Sequence, residues 1–255
     1  MSAQPALFVS HGAPSLVAEQ GAARDFLGAL GAGLPRPRAI VVVSAHWETA
    51  EPTVGGAPAF ETIHDFFGFP EALYRLRYPA AGDPPLARRI AALLTAAGYA
   101  SRVDAARGLD HGAWAPLMLM YPQADLPVVP LSIQPQETAA YHYRLGQALA
   151  PLREEGVLIL ASGSATHNLR AIGGDAPPAW AVQFSDWLAA RLAQGDVDAL
   201  LDYRRLAPAA VRSHPTEEHL LPLFVAFGAA GGAAGLRLHH SYTWGSIAMD
   251  AYRFH

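Results

Sequence analysis

The chain has 255 residues, 51% hydrophobic and 16% charged, with a formal net charge of −4. This length and apolar share support one large α/β core, and the slight negative balance gives no pull toward nucleic acid or an anionic membrane. Cysteine is absent, which excludes disulfides, thiolate nucleophiles and Cys-bound zinc, so any metal must be held by His or carboxylate. Lysine is absent too, and every basic side chain is Arg or His. The sequence has neither a leader pattern nor an apolar run of ~18 residues. It reads as soluble and cytoplasmic.

In chain order, strands are predicted over 6–10, 39–45, 127–133 and 157–162. Helices are predicted over 15–31, 84–98, 112–121 and 138–152, then over 179–193 and 216–230, with closing strands over 236–241 and 246–254. The alternation predicts a single domain spanning 1–255, in which helices flank a mostly parallel central sheet. The runs Ile40–Ala45 and Val157–Ala161 lack polar alternation, as expected of strands covered on both faces.

The segment 58–82 stands apart. It concentrates Phe60, Phe66, Phe67, Phe69, Tyr74 and Tyr78 in a loop-rich stretch. Two readings are open: a satellite hydrophobic cluster beneath a long loop, or an aromatic lid over a pocket for a flat ligand. His64, beside Asp65, is a substrate contact or a turn residue.

Three of the eleven histidines follow apolar runs: His11 after Ala6–Ser10, His46 after Ile40–Ala45, and His167 after Val157–Ser162. Ligands of open α/β sheets bind outside the carboxyl ends of the strands. Three imidazoles delivered to that edge point to a metal site built from distant segments. His219 is a fourth candidate. Thr216 reads as an N-cap ahead of Leu220–Phe227, which places His219 in a first helical turn where neutral imidazole is favoured. The plain alternative is that Glu217 and Glu218 serve the helix dipole. His111 follows Asp110, which reads as the cap of another helix and as a group able to orient His111. There is no Gly-x-Ser-x-Gly elbow, no phosphate-binding glycine loop and no His-Glu-x-x-His, which argues against a serine hydrolase, a nucleotide site and a zincin.

Eight segments taken together resemble the class III extradiol ring-cleaving dioxygenases, in the branch containing 4,5-DOPA dioxygenase. They are Phe8–Pro14, Val43–Trp47, Thr62–Phe66, Gly108–Trp114, Met120–Pro122, Gly163–Arg170, Pro215–His219 and Gly245–Met249, in the same order along nearly the whole chain. The resemblance implies a non-haem divalent metal on His11, His46 and His219. It implies that His167 acts as acid or base facing the metal, and in some members the corresponding His is also counted as a metal contact. Better-known relatives use two His and one carboxylate; this chain has His219 where they have Glu. On a helix Glu218 would point about 100° away from His219, so only one of the neighbours faces the site.

The expected reaction needs Fe(II), with both catechol oxygens and O2 as its other partners. Zn(II) would occupy the same nitrogens in purified protein without supporting the oxygen chemistry. His167 is the expected proton acceptor and donor, with His111 the second choice. His64, Phe66 and Phe69 are the expected substrate contacts. The expected substrate is a catechol with a side chain, DOPA or a related catechol acid, with Arg75, Arg77 and Arg170 either carboxylate partners or surface residues. Two rival readings stay open: a zinc-dependent hydrolase of this fold with His167 as general base, and a non-enzymatic binding protein with a vestigial site. No nucleic acid or membrane partner is expected, and a homo-oligomer is compatible with the sequence.

Overall fold

The computed structural model describes residues 3–255. The elements run β1 (Ala6–Ser10), α1 (Ala22–Leu30), β2 (Ala39–Glu48), β3 (Thr53–Gly55), α2 (Glu71–Tyr74), α3 (Pro84–Ala96) and β4 (Arg102–Asp104). Next come α4 (His111–Met120), β5 (Val128–Ile133), α5 (Ala139–Glu154), β6 (Val157–Gly163) and α6 (Ala179–Gln194). Three short helices follow, α7 (Val197–Leu201), α8 (Tyr203–Leu206) and α9 (Ala210–Ser213), then α10 (Leu221–Ala229). The chain closes with β7 (Gly235–His239), β8 (Tyr242–Thr243), β9 (Ile247–Ala248) and β10 (Ala251–Phe254).

Eight strands form one sheet in the order β4-β3-β5-β2-β6-β1-β10-β7, and β8 pairs with β9 outside it. The centre, β5-β2-β6-β1, is parallel throughout, while β10 and β7 join antiparallel at one side. The predicted α/β class is therefore what the chain forms. Alternate residues feed two core layers. Phe8, Val41, Val43, Ile159 and Ala161 face a layer built with α3, α5, α6 and α10. Leu7, Val9, Ile40, Val42, Leu158 and Leu160 face the other, with α1 and α4. Both faces are dry, which is why these strands read as unbroken apolar runs.

Two predicted helices begin or break elsewhere. The 15–31 helix divides into a single 3-10 turn at Pro14–Val17 and α1, separated by Gly21 at φ 157°. The 216–230 helix starts only at Leu221, with Pro222 in its first turn. A start at Thr216 would have put Pro222 in the interior, without an N–H and against the carbonyl of Glu218. His219 accordingly lies in the turn before α10, and Thr216 Oγ1 donates to the Glu218 carboxylate (3.1 Å) instead of capping a helix. The predicted 246–254 strand is β9 and β10, interrupted at Met249–Asp250. The three-residue strands β3 and β4 and the helices α7–α9 were not anticipated.

Candidate functional site

The site lies where β1, β2 and β6 end. His11 directly follows β1, whereas β2 runs on through His46 to Glu48. Between Val43 and Glu48 β2 loses register with β5, which advances only from Leu131 to Ile133 over the same stretch. Such an irregularity bends a strand and re-aims its side chains, and His46 sits within it. The α4 helix brings its N-terminus against the same edge. A Cβ at Gly112 would fall 2.9 Å from His46 Cδ2 and 3.2 Å from His11 Cε1, and closer still to Ser44 Oγ. Only glycine lets the helix come this near. Asp110 caps that helix as expected, accepting from Ala113 N at 3.1 Å.

Three imidazoles converge. His46 Nε2 lies 3.0 Å from His11 Nε2 and 3.3 Å from His219 Nε2. Their tautomers follow from the opposite nitrogens. Ser162 Oγ gives its proton to the Gly112 carbonyl, so at 3.0 Å it accepts from His11 Nδ1–H. Glu218 Oε1 accepts from His219 Nδ1–H at 2.9 Å. Asp65 Oδ2, 3.7 Å from His46 Nδ1, favours a proton on that nitrogen too. Each Nε2 is thereby left with a lone pair, and three lone pairs aimed at one another repel unless a cation lies between them. The donor set fits a divalent metal of borderline character. Burial, reinforced by the neighbouring imidazoles, holds His11 and His219 well below the usual histidine pKa, and His46 is lowered for the same reasons. Neutral imidazole is the form that binds metal.

His167 stacks face to face on His219, with ring centroids 3.4 Å apart and planes at 9°. Burial lowers its pKa to about 4, against the opposing pull of Glu218. Glu217 faces away, accepting from Tyr203 OH at 2.5 Å and lying 3.6 Å from Arg204. His111 is buried at the head of α4, 4.0 Å from His46 ring to ring.

The expected partner of His111 is corrected. Asp110 is occupied by Ser44 Oγ (2.6 Å), by Ala113 N and by Arg107 (3.2 Å). The carboxylate beside the His111 ring is Asp65: Oδ2 is 3.0 Å from Nδ1, a close approach without hydrogen-bond alignment, and Oδ1 accepts from His111 N at 2.9 Å. Sequence reading also passed over Ser162. Its position at the end of β6, level with Val9 of β1, is the only trace of its role.

A cavity of about 410 Å³ opens above the three Nε2 atoms and includes His111 and His167 in its wall. Phe66, Phe67, Phe69, Leu169 and Trp244 line it as well. The aromatic segment thus divides between both readings of it: Phe60 and Tyr78 are buried in the core, while Phe66, Phe67 and Phe69 meet the cavity. His64 is not in the cavity wall. Its Nε2 meets the Leu76 carbonyl at 3.1 Å, and its ring packs behind Phe66 and Trp114. Arg75, Arg77 and Arg170 do not line the cavity either; Arg75 pairs with Glu71 and Arg77 binds backbone carbonyls. Among the described residues no helix is long and apolar enough to cross a membrane.

Residues 5–254 match the family model described as the catalytic LigB subunit of aromatic ring-opening dioxygenase. A Beta vulgaris protein named 4,5-DOPA dioxygenase extradiol is 45% identical over 254 residues, covering 97% of this chain and 95% of its own. An Escherichia coli K12 protein of the same name is 44% identical, covering 96% and 92%. The crystal structure of an uncharacterized Escherichia coli K12 protein superimposes with a TM-score of 0.83 at 38% identity, over 99% of this chain and all of that one. The fold, the histidine cluster at the strand ends and these matches together place the chain in the LigB family of aromatic ring-opening dioxygenases, enzymes that work through a non-haem metal.

Proposed function

We propose that the protein cleaves a catechol ring beside its two hydroxyls, with Fe(II) held by His11, His46 and His219. The observation that carries this reading is the convergence of three Nε2 lone pairs beneath an aromatic-walled cavity that also holds His167 and His111. When bound, Fe(II) supplies the electron exchange that lets O2 react with a closed-shell ring. The catechol is itself the reductant: one ring C–C bond breaks, both atoms of O2 enter the product, and no other electron donor is needed.

His167 takes a proton from a catechol hydroxyl and returns it as the ring opens. Its lowered pKa leaves it unprotonated at neutral pH, as a base must be. The stack on His219 supports this role over that of a fourth ligand. Imidazole lone pairs lie in the ring plane, and the two planes run parallel about 3.4 Å apart. With its ring flat on His219, His167 would be free to move a proton while His11, His46 and His219 held the metal. His111 is the second group able to hold a substrate hydroxyl. Phe66 and Phe69, with Phe67, Leu169 and Trp244, exclude water and hold the ring. Zn(II) fits the same nitrogens and would leave the protein loaded but inactive.

The named relatives support a catechol bearing a side chain, DOPA or a related catechol acid, as substrate. A carboxylate on that side chain would have to meet solvent or a residue beyond the cavity wall, since no Arg lines it. The test is anaerobic reconstitution with Fe(II), followed by matched catechols and monophenols under O2. Oxygen uptake and a yellow ring-opened product from the catechols alone are expected. Equal turnover of monophenols, or ester hydrolysis without oxygen uptake, would overturn the reading.

A further inference from the structure

Among the described residues Asp65 is the one carboxylate in the cavity wall, and its side chain is only 22% exposed. It stands at the root of the Phe66–Phe69 wall. Oδ1 accepts from the backbone N–H of His111, the first residue of α4 (2.9 Å). Oδ2 lies 3.0 Å from His111 Nδ1 and 3.7 Å from His46 Nδ1. One carboxylate, next in sequence to the aromatic wall, therefore meets the head of α4 and two site imidazoles. The Phe66 ring completes the arrangement, edge-on to His111 at 6.0 Å and 90°.

We propose that Asp65 is a positioning residue that acts through His111. It holds the His111 ring with its proton on Nδ1, so that Nε2 presents a lone pair to a substrate hydroxyl in the cavity. A carboxylate only accepts hydrogen bonds, so the nitrogen beside it is the protonated one. Among the described residues no group makes an aligned hydrogen bond to His111 Nδ1, and the Asp65 carboxylate is the acceptor that stands beside it, at 3.0 Å. Without Asp65 the ring is free to exchange tautomers, and half the purpose of its placement is lost. Because the same carboxylate anchors the start of the Phe66–Phe69 wall, the group that meets the hydroxyl and the wall that meets the ring are set by one contact. This inference rests on the ring-cleavage reading for its kinetic consequence but not for the tautomer.

Asp65→Asn separates the two functions of the side chain. The amide oxygen still accepts from His111 N, so α4 keeps its start, but an NH2 group now faces Nδ1 and opposes a proton there. Long-range proton–nitrogen NMR of the zinc-loaded, histidine-labelled protein should show His111 as the Nδ1–H tautomer in the wild type and as Nε2–H in Asp65→Asn. Because the same carboxylate stands 3.7 Å from His46 Nδ1, metal affinity should also fall, so the comparison is made at saturating metal, with metal content measured on each preparation. In the Fe(II) enzyme kcat should fall about 10–100-fold, the usual cost of removing a group that orients a site histidine, with a smaller change in KM. Asp65→Glu should recover the Nδ1–H signal and most of kcat. In a His111→Ala background, Asp65→Asn should cause no further loss of kcat at saturating metal, because in that step the two residues act as one unit. An unchanged tautomer in Asp65→Asn, or an equal loss of kcat with and without His111, would overturn the proposal. A wild-type enzyme that turns over no catechol would overturn the ring-cleavage reading instead, and the tautomer spectra would still decide the role of Asp65.

Discussion

His167 lies flat against His219, ring centroids 3.4 Å apart and planes at 9°. The stack joins a group suited to proton transfer to a group suited to metal binding without giving them the same aim. His167→Ala should therefore retain metal at the level of the wild type while losing roughly 10²–10⁴-fold in kcat. Elemental analysis and oxygen uptake on one preparation check both halves. Loss of the metal would make His167 a ligand, and full activity would remove it from the chemistry.

Ser162→Ala should weaken metal binding without touching a ligand. The hydroxyl is committed to the Gly112 carbonyl and so can only accept from His11 Nδ1–H. With it gone, His11 is free to place its proton on Nε2, where it blocks coordination. A loss of about 10–100-fold in metal affinity is expected, read by competition with a chelator. Affinity equal to the wild type would show that the tautomer is fixed some other way.

Trp244 takes a left-handed backbone, φ 48°, in the turn between β8 and β9. Its carbonyl accepts from Gly173 N (2.8 Å) and Ser246 N (3.0 Å), which holds the turn against the neighbouring loop. A bulky residue in this region costs about 1–2 kcal/mol, and such outliers gather at ligand sites. Trp244→Gly should relieve that cost, offsetting the lost packing of a ring 40% exposed, so Tm should move by only a few degrees. KM for the catechol should rise several-fold as part of the cavity wall is lost. An unchanged KM would make Trp244 a bystander.

His142 gives a pH-dependent contribution to stability outside the histidine cluster. It is fully buried, its Nε2 accepts from Gln134 N at 3.1 Å, and its Nδ1 donates to the Thr138 carbonyl at 2.9 Å. Burial lowers its pKa from 6.5 to about 4, against the pull of the Thr138 bond. The unfolded chain thus binds a proton more readily than the folded one between those values, and stability rises with pH. The contribution is fully present above about pH 6.5 and is lost as pH falls through about 4, amounting to at most about 3 kcal/mol. Denaturant titrations of wild type and His142→Gln from pH 7 to 4 should diverge least at the acid end. A constant difference across that range would refute the linkage.

The sequence was most legible where one face of the argument was local. Runs such as Ile40–Ala45 and Val157–Ala161 announced strands covered on both sides, and His11 and His46 followed from where those runs stop. Thr216 and the two Glu residues before His219 imitate a helix start, while Pro222 at the head of α10 carries the contrary signal. Asp110 was credited with orienting His111 because it is adjacent. The group that touches the ring, Asp65, comes from a loop 46 positions away in sequence. Ser162 and Trp244 escaped for the same reason: their partners are brought to them only by the sheet and the turn, and neither has a motif of its own.

The place of β1 in the sheet sets when this site can exist. That strand, which His11 directly follows, has β6 on one side and β10 on the other, and the third converging imidazole is at position 219. A chain emerging from the ribosome therefore presents its first two histidines long before their companion, and the strand that carries the first has no neighbour until 157–163 and 251–254 have been made. Such distant pairing folds slowly. The three-imidazole cluster therefore belongs to the finished protein, and a nascent chain would offer a passing ion only two of its histidines.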